Sequence, residues 1–365
     1  MNNISKIFFW DPCLSPHKID LMNQIKNDFK NIELILVSPM GFPDDKKYFI
    51  NKNYVNTNIT TIITNNKKKI ESLINGQINK DINILSGYWA NKNAKLIIKY
   101  LQKIDKKFFF ISETRFHFRF LDVVKLFQSL VFEKNLRVNT YKIFCIGRYA
   151  KPWFKCSLYP KDKLIDFSYY VNIGKINKNY SDENKHNSTL RLGYIGALIS
   201  EKGIFNYIKA LKNFSHDYIF YISGDGVDKN LFLTKCKDEN IKFEYLGVTD
   251  YDLKYSFFSN IDCLILSPKM KSKRNGWCTV VNESLLFGKP VICNKYVGAS
   301  VLIDSEINGI VLENDKYSTL LKALNKFAKK INFFRSNNDK IYHDAFEKIS
   351  VESGSNKIMH YISNE

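Results

Sequence analysis

The sequence predicts an α/β protein built from two doubly wound, Rossmann-like domains facing across a cleft. Three observations carry this. The chain has 365 residues, which at roughly 100–200 residues per domain is about two domains. Short apolar runs alternate with helical stretches, the βαβ rhythm of a parallel sheet covered on both faces, and the rhythm starts twice. Between the two starts, residues 172–190 (NIGKINKNYSDENKHNSTL) are polar and aperiodic and read as a linker. The expected organisation is a first domain over 1–171, the linker, a second domain over 191–345, and a C-terminal helix over 346–365 packing back on the first domain. In such sheets ligands bind at the carboxyl ends of the strands, where strand order reverses.

In the first half, KIFFW (6–10) is strand-like, 19–29 helical and IELILVSP (32–39) a strand. NITTIIT (58–64), DINILSG (81–87), KFFFISE (107–113) and YKIFCIG (141–147) are further short apolar runs ending in small or polar residues. Helical spacing fills 91–103 and 116–135. The second half opens with the strand LRLGYIGAL (190–198), a loop and a helix over 203–211. HDYIFYISGDG (216–226) is a strand ending in a glycine turn; a helix over 229–236, the strand IKFEYLG (241–247), a helix over 251–259 and the strand DCLILSP (262–268) follow. Thr279 to Phe287 has helical spacing and is stopped by Gly288-Lys289-Pro290, before the strand KPVICN (289–294). GIVLE (309–313) is a candidate sixth strand, and helices over 318–330 and 339–349 follow.

Composition narrows the class. Hydrophobic residues make up 45% and charged residues 25%, an ordinary globular balance. No segment approaches about 18 uninterrupted apolar residues; the best stretch, 116–132, is broken by Arg119, Asp122, Lys125 and Gln128. The opening MNNISKIFFWDPC reads as a first strand rather than a signal peptide. The seven cysteines are scattered without a CxxC pair, so neither a disulfide framework nor a zinc site is indicated, and a reducing cytoplasm is the expected location. The net charge of +19 is uneven: residues 1–171 hold 28 Lys/Arg against 14 Asp/Glu. Such a surface favours anionic partners, among them a phospholipid leaflet or a lipid pyrophosphate. A lysine-rich genome produces the same excess. Nucleic acid is not expected as a partner, since charge alone speaks for it and no recognition motif accompanies it.

Three stretches of the second half are candidates for chemistry. GALISEKG places Lys202 after a strand and just ahead of a helix N-terminus, where free N–H groups and the helix dipole attract phosphate; an exposed lysine at a helix start has the same pattern. SGDG (223–226) allows close backbone approach by a ligand but lacks the GxGxxG spacing of a dinucleotide fingerprint. RNGWCTVVNESLLFGKPVI (274–292) holds the third. At about 100° per residue, Glu283 falls between Leu286 and Phe287, on the apolar side of its helix. A carboxylate can accept two hydroxyl hydrogen bonds at once, as a ribose diol offers; a glutamate whose stem packs on apolar neighbours fits the same placement.

Taken in order, LGYIGALISEKGIFNYIKAL, YISGDG, FEYLGVTDYDLKYSFFSNIDCLILSP and NGWCTVVNESLLFGKPVIC resemble glycosyltransferase family 4, the retaining GT-B enzymes ("glycosyl transferases group 1") of bacterial surface-polysaccharide type. The resemblance is strong over about 190–315 and weaker before it, where it rests on element order and FFWDPCLSPHK. It implies that Glu283 binds the ribose hydroxyls and that Lys202 neutralises the donor diphosphate. It sets Gly196 and Gly224 in the donor site, the backbone of Gly247 and Val248 against the nucleobase, and that of Gly276, Trp277, Cys278, Thr279 and Val280 against the sugar and phosphates. It implies no metal and no cofactor; the nucleotide-diphosphate sugar is the donor substrate. Two positions depart from the pattern. Asn275 stands where a sugar-contacting glutamate is usual, and brings hydrogen bonds without charge. Ala197 stands where an arginine often shares the diphosphate; Lys269, Lys271, Lys273 or Arg274 from the facing loop are candidate replacements, and equally ordinary solvated charges.

The first domain is then expected to bind the acceptor. Ser15, His17 and Lys18 follow the first strand, in a loop that approaches the donor phosphates in related enzymes. Glu113, Arg115 and His117 follow the strand FFFIS, and a histidine there can orient or deprotonate an acceptor hydroxyl; a packing role fits each histidine as well. The expected catalytic set is Lys202, Asn275, His117 and Glu113. The expected function is transfer of a hexose or amino-sugar from a nucleotide diphosphate to a hydroxyl of a surface glycan on a lipid carrier, with peripheral contact to an anionic membrane. Asn275 and Ala197 also fit a non-catalytic, glycan-binding relative of the same fold.

Overall fold

The computed structural model describes residues 4–43, 58–115, 122–172, 189–249, 254–270, 276–304 and 307–364. The chain forms two compact units, Met1–Asn172 with Ile349–Glu365, and Ile173–Lys348.

The first unit runs β1 (Lys6–Trp10), α1 (Pro16–Asp28), β2 (Glu33–Ser38), β3 (Thr60–Ile63), α2 (Lys67–Asn75), β4 (Ile82–Ser86), α3 (Ala94–Lys103), β5 (Phe108–Glu113), α4 (Asp122–Phe132), α5 (Lys134–Asn139), β6 (Thr140–Ile146), α6 (Ala150–Cys156) and β7 (Leu164–Phe167). Its sheet has the order β3-β2-β1-β4-β5-β6-β7 and every pairing is parallel. The inner strands are almost continuously apolar because helices cover both faces; Phe8, Phe9, Trp10, Phe108, Phe109 and Phe110 are buried in them. The edge strand β3 is short and mostly exposed. Helix starts follow local chemistry: Ser15 caps α1 by accepting from the Lys18 amide, with Pro16 in the first turn, and Asn66 caps α2 through the amides of Lys68 and Lys69.

The second unit runs β8 (Leu190–Ile195), α7 (Ile204–Lys212), β9 (Tyr218–Ser223), α8 (Lys229–Asp238), β10 (Phe243–Tyr245), α9 (Lys254–Ser259), β11 (Cys263–Leu266), α10 (Val280–Leu286), β12 (Val291–Asn294), β13 (Gly309–Leu312), α11 (Tyr317–Lys329), α12 (Ile331–Ser336) and α13 (Asn338–Ile349). The sheet order is β10-β9-β8-β11-β12-β13, again parallel throughout. GIVLE forms the sixth strand. At the amino-terminal end of β11, the buried Asp262 carboxylate is held by Arg191 at 2.8 Å and Arg335 at 2.8 Å. Burial pushes this carboxyl up, but the hydrogen bonds from Arg335 and Arg191 outweigh it and leave it below its ordinary value.

The last helix, α14 (Val351–Ile362), belongs to the first unit. Ser350 caps it and pairs with Val171, and Ser355 Oγ donates to Asp28 Oδ2 of α1 at 2.6 Å. One expected helix is divided. The stretch read as helical over 116–135 contains α4 and begins α5, with 116–121 outside the described residues. The break falls at Glu133, whose buried carboxylate accepts from Trp89 Nε1 at 2.5 Å, Tyr159 Oη at 2.9 Å and Ser129 Oγ. The expected linker falls mostly on residues 173–188, outside the described residues. Among the described residues no helix is long and apolar enough to cross a membrane.

Candidate functional site

In each sheet the strand order reverses once, between β1 and β4 in the first unit and between β8 and β11 in the second. These are the positions at which an open parallel sheet leaves a crevice for a ligand.

In the second unit three glycines stand side by side beyond adjacent strands. The Gly196 amide, after β8, donates to the Ser223 carbonyl at 3.0 Å, and the Gly224 amide, after β9, donates to the Gly247 carbonyl at 2.8 Å. The parallel pairing thus continues past the strands into a row of backbone without side chains. Ser223 Oγ donates to the Gly247 carbonyl at 3.1 Å, and Tyr245 Oη donates to the Gly224 carbonyl at 2.9 Å. Val248, next along, is exposed.

Lys202 ends a 3₁₀ turn, Ser200–Lys202, immediately before α7. Gly203 makes the junction in a left-handed conformation, φ 75°. A side chain there would place Cβ 2.1 Å from the Ser267 carbonyl oxygen, so both the conformation and the close approach to the end of β11 require glycine. The buried Tyr207 hydroxyl donates to the Lys202 carbonyl at 3.2 Å and accepts from the Ser267 amide at 2.9 Å. Asp228 Oδ2 accepts from the Ser200 amide at 2.6 Å. Lys269 donates its amide to Glu201 O at 2.9 Å and its ammonium to Ser200 Oγ at 2.8 Å. Asn294, fully buried, donates to Ser267 Oγ at 3.3 Å and the Pro268 carbonyl at 2.7 Å. The turn carrying Lys202 is therefore clamped onto the end of β11, at the strand-order reversal, with a second lysine on it.

The loop before α10 is tied down in the same way. Gly276 and Trp277 accept through their carbonyls from the amides of Gly298 and Ala299, each at 3.0 Å. Trp277 is buried and donates Nε1 to Asn282 Oδ1 at 2.7 Å. Cys278 is left-handed, φ 64°, an uncommon and strained state for a residue with a Cβ. Thr279 precedes Val280 at the start of α10. Glu283 is only 4% exposed, on the apolar face as the helical spacing requires. Tyr194 and Tyr207 are pushed well above the ordinary phenol range by burial first, and the nearby Cys278 thiol adds to it in both. Asn275, Lys271, Lys273 and Arg274 lie outside the described residues.

In the first unit the Lys18 ammonium reaches Asp11 at 3.5 Å and Ser86 Oγ at 3.2 Å, bridging the carboxyl ends of β1 and β4. Ser15 caps α1, and the His17 ring lies 6.5 Å from that of Tyr169. Tyr169 donates its hydroxyl to Glu113 Oε1 at 2.8 Å; burial, then the Glu113 carboxylate, raise its proton affinity well above normal. Arg115 turns toward Glu133 and lies 4.2 Å over the Trp89 ring. Burial lowers its pKa, and the Glu133 charge opposes that. His117 lies outside the described residues. Lys18, His17 and Glu113 thus gather around the strand ends, and Asn275 and His117 are not placed. Sequence reading missed Tyr207, Asn294, Asp228 and Tyr169. A tyrosine at helical spacing reads as core, and only the fold shows which carbonyl its hydroxyl meets.

Comparison with known proteins agrees with this geometry. Residues 176–338 match the family described as Glycosyl transferases group 1. No curated protein matches the chain significantly in sequence. The structure of Anabaena Alr3699/HepE in complex with UDP superposes with a TM-score of 0.75 at 13% identity, covering 99% of this chain and 100% of that one. A glycosyltransferase from Rickettsia africae ESF-5 gives 0.72 at 15% identity, over 100% of both chains. The lipopolysaccharide outer core galactosyltransferase WaaB, in its apo form, gives 0.68 at 15%, covering 99% of this chain and 100% of that one. The chain therefore has the α/β fold of GT-B glycosyltransferases, and most of its second unit, residues 176–338, is similar to the glycosyl transferases group 1 family.

Proposed function

We propose that the protein is a retaining, metal-independent hexosyl- or N-acetylhexosaminyltransferase. It moves a sugar from a nucleotide diphosphate, taken here as UDP, to a hydroxyl of a surface glycan on a lipid carrier, at the inner face of the cytoplasmic membrane. The observation that carries this reading is the Lys202 turn, clamped by Tyr207 and Gly203 onto the end of β11 at the strand-order reversal. It sits within the stretch similar to the group 1 family, and a structurally similar protein was solved with UDP. Lys202 and Lys269 supply positive charge for a diphosphate, and the glycine row beyond β8, β9 and β10 admits the nucleoside close to the backbone.

In this reading Glu283 accepts from the ribose hydroxyls. As the bond from C1 to the diphosphate breaks, Lys202 stabilises the charge developing on the leaving oxygens. The acceptor oxygen bonds to C1 on the same face, and its proton passes to the β-phosphate oxygen. Glu113 and the loop of Ser15, His17 and Lys18 hold the acceptor side, and Asn275 and His117 complete the expected set.

The test is Lys202→Ala. Turnover with UDP-sugars falls by about a hundredfold or more, as on removal of one charge-stabilising donor, while the melting temperature changes little. Unchanged turnover refutes the diphosphate role. EDTA leaves turnover intact; a metal requirement refutes the metal-independent part.

A further inference from the structure

We propose that α4 is a membrane-docking face of the first unit, and that its occupant is an anionic phospholipid surface. A helix of a water-soluble unit ordinarily turns its apolar stripe inward. This one turns a second apolar stripe outward. Its inner side sets Leu126, packed on the core, beside polar groups that are held in place: Asp122 is buried and paired with Lys125 at 2.9 Å, Gln128 Oε1 accepts from Arg115 at 3.2 Å, and the fully buried Ser129 donates to Glu133. Its outer side is Val123, Val124, Phe127 and Val131, of which Val123 is 68% and Phe127 66% exposed. At about 100° per residue these four span roughly a third of the helix circumference, with no polar residue among them.

The patch continues beyond the helix. Arg137 donates to the Ser129 carbonyl at 2.9 Å, the Leu130 carbonyl at 2.6 Å and the Ser157 carbonyl at 3.3 Å. It thereby ties the end of α4 to the turn carrying Leu158, which is 70% exposed in a left-handed conformation. Val138 of α5, the residue after Arg137, is exposed as well. Charge selects the occupant. From Asp122 to Lys163 there are nine Lys/Arg and three Asp/Glu, and two of those three acids, Asp122 and Glu133, are buried and paired. Lys134, Lys155 and Lys161 are exposed. Lysines around an apolar face match lipid head groups over an acyl boundary, whereas lysine is depleted in protein interfaces.

The face goes beyond the transfer reaction and fails separately from it. The full chain is sedimented with vesicles of phosphatidylcholine alone, or with about one-third phosphatidylglycerol. Preferential partition to the anionic vesicles, weakened by salt above about 0.15 M, is expected. Phe127→Asp with Val131→Asp is expected to lower that partition at least tenfold. Lys134→Glu with Lys155→Glu is expected to lower it on anionic vesicles alone. Both pairs keep UDP binding and melting temperature, because all four side chains are exposed. Failure of the native chain to bind anionic vesicles overturns the proposal, as does unchanged partition of the aspartate variant. A dimer in solution that the aspartate variant dissociates also overturns it and makes the face a protein interface.

Discussion

Gly203→Ala tests the packing of the Lys202 turn directly. At φ 75° a Cβ costs about 1 kcal/mol or more. It would also stand 2.1 Å from the Ser267 carbonyl oxygen, where carbon contacts prefer about 3.5 Å or more. The turn and the end of β11 must therefore separate by over roughly 1 Å, at about 1–3 kcal/mol for the backbone shift. The same movement stretches the Tyr207 bonds to Lys202 O and from the Ser267 amide, each worth about 1 kcal/mol. The expected loss is about 3–5 kcal/mol. At about 2–4 °C per kcal/mol for a unit of this size, the melting transition of the second unit falls by roughly 6–20 °C. Affinity for UDP, measured by calorimetry, falls at least tenfold because Lys202 moves with the turn. Gly247→Ala separates the terms. Gly247 has φ 73° but open space around its Cβ position, so it loses only the conformational part, about 1 kcal/mol. If Gly203→Ala melts with Gly247→Ala and binds UDP like the native protein, the clamped turn is wrong.

Other expectations follow from single residues. Glu283→Gln, which removes charge at constant size, is expected to weaken UDP binding by roughly 10–100-fold, as loss of hydrogen bonds to a charged group does; unchanged binding removes Glu283 from the nucleotide site. Asp262→Ala leaves Arg191 and Arg335 buried together and is expected to cost about 3–5 kcal/mol in urea unfolding; a change below about 1 kcal/mol refutes the ion triad. Because the folded-state carboxyl of Asp262 is held below its ordinary value of 3.8, the unfolded chain takes up this proton first. The contribution of Asp262 is present in full above that pH and declines as pH falls through the lower folded value. A pH titration of the urea midpoint shows this acid-side loss in the native protein and not in Asp262→Ala. Among the cysteines, exposed Cys156 is expected to react first with a thiol reagent. Burial pushes Cys145 and Cys236 up to about 12, so they react only on unfolding; prompt reaction of either in the native protein refutes their burial.

Most of the strands and helices were legible in the sequence alone, because parallel strands covered on both faces must be continuously apolar and the segments between them must keep helical spacing; the short elements β7, α6 and α12 were not. The sequence placed Glu283 on the inner face of its helix and Lys202 at a strand–helix junction, both consequences of local periodicity and turn chemistry. It did not show that Tyr207, in α7, reaches across to the Ser267 amide, or that Lys269 lies on the Ser200–Lys202 turn. Those meetings depend on β8 and β11 being neighbours although five elements of chain, α7, β9, α8, β10 and α9, separate them. Nor did it show that the segment read as one helix over 116–135 breaks at Glu133. Helical spacing marks Val123, Phe127 and Val131 as one stripe but cannot say which way the stripe faces. The tertiary structure decides that: Arg115 and Glu133 draw the polar side of α4 inward with charged hydrogen bonds, so that stripe is left outward.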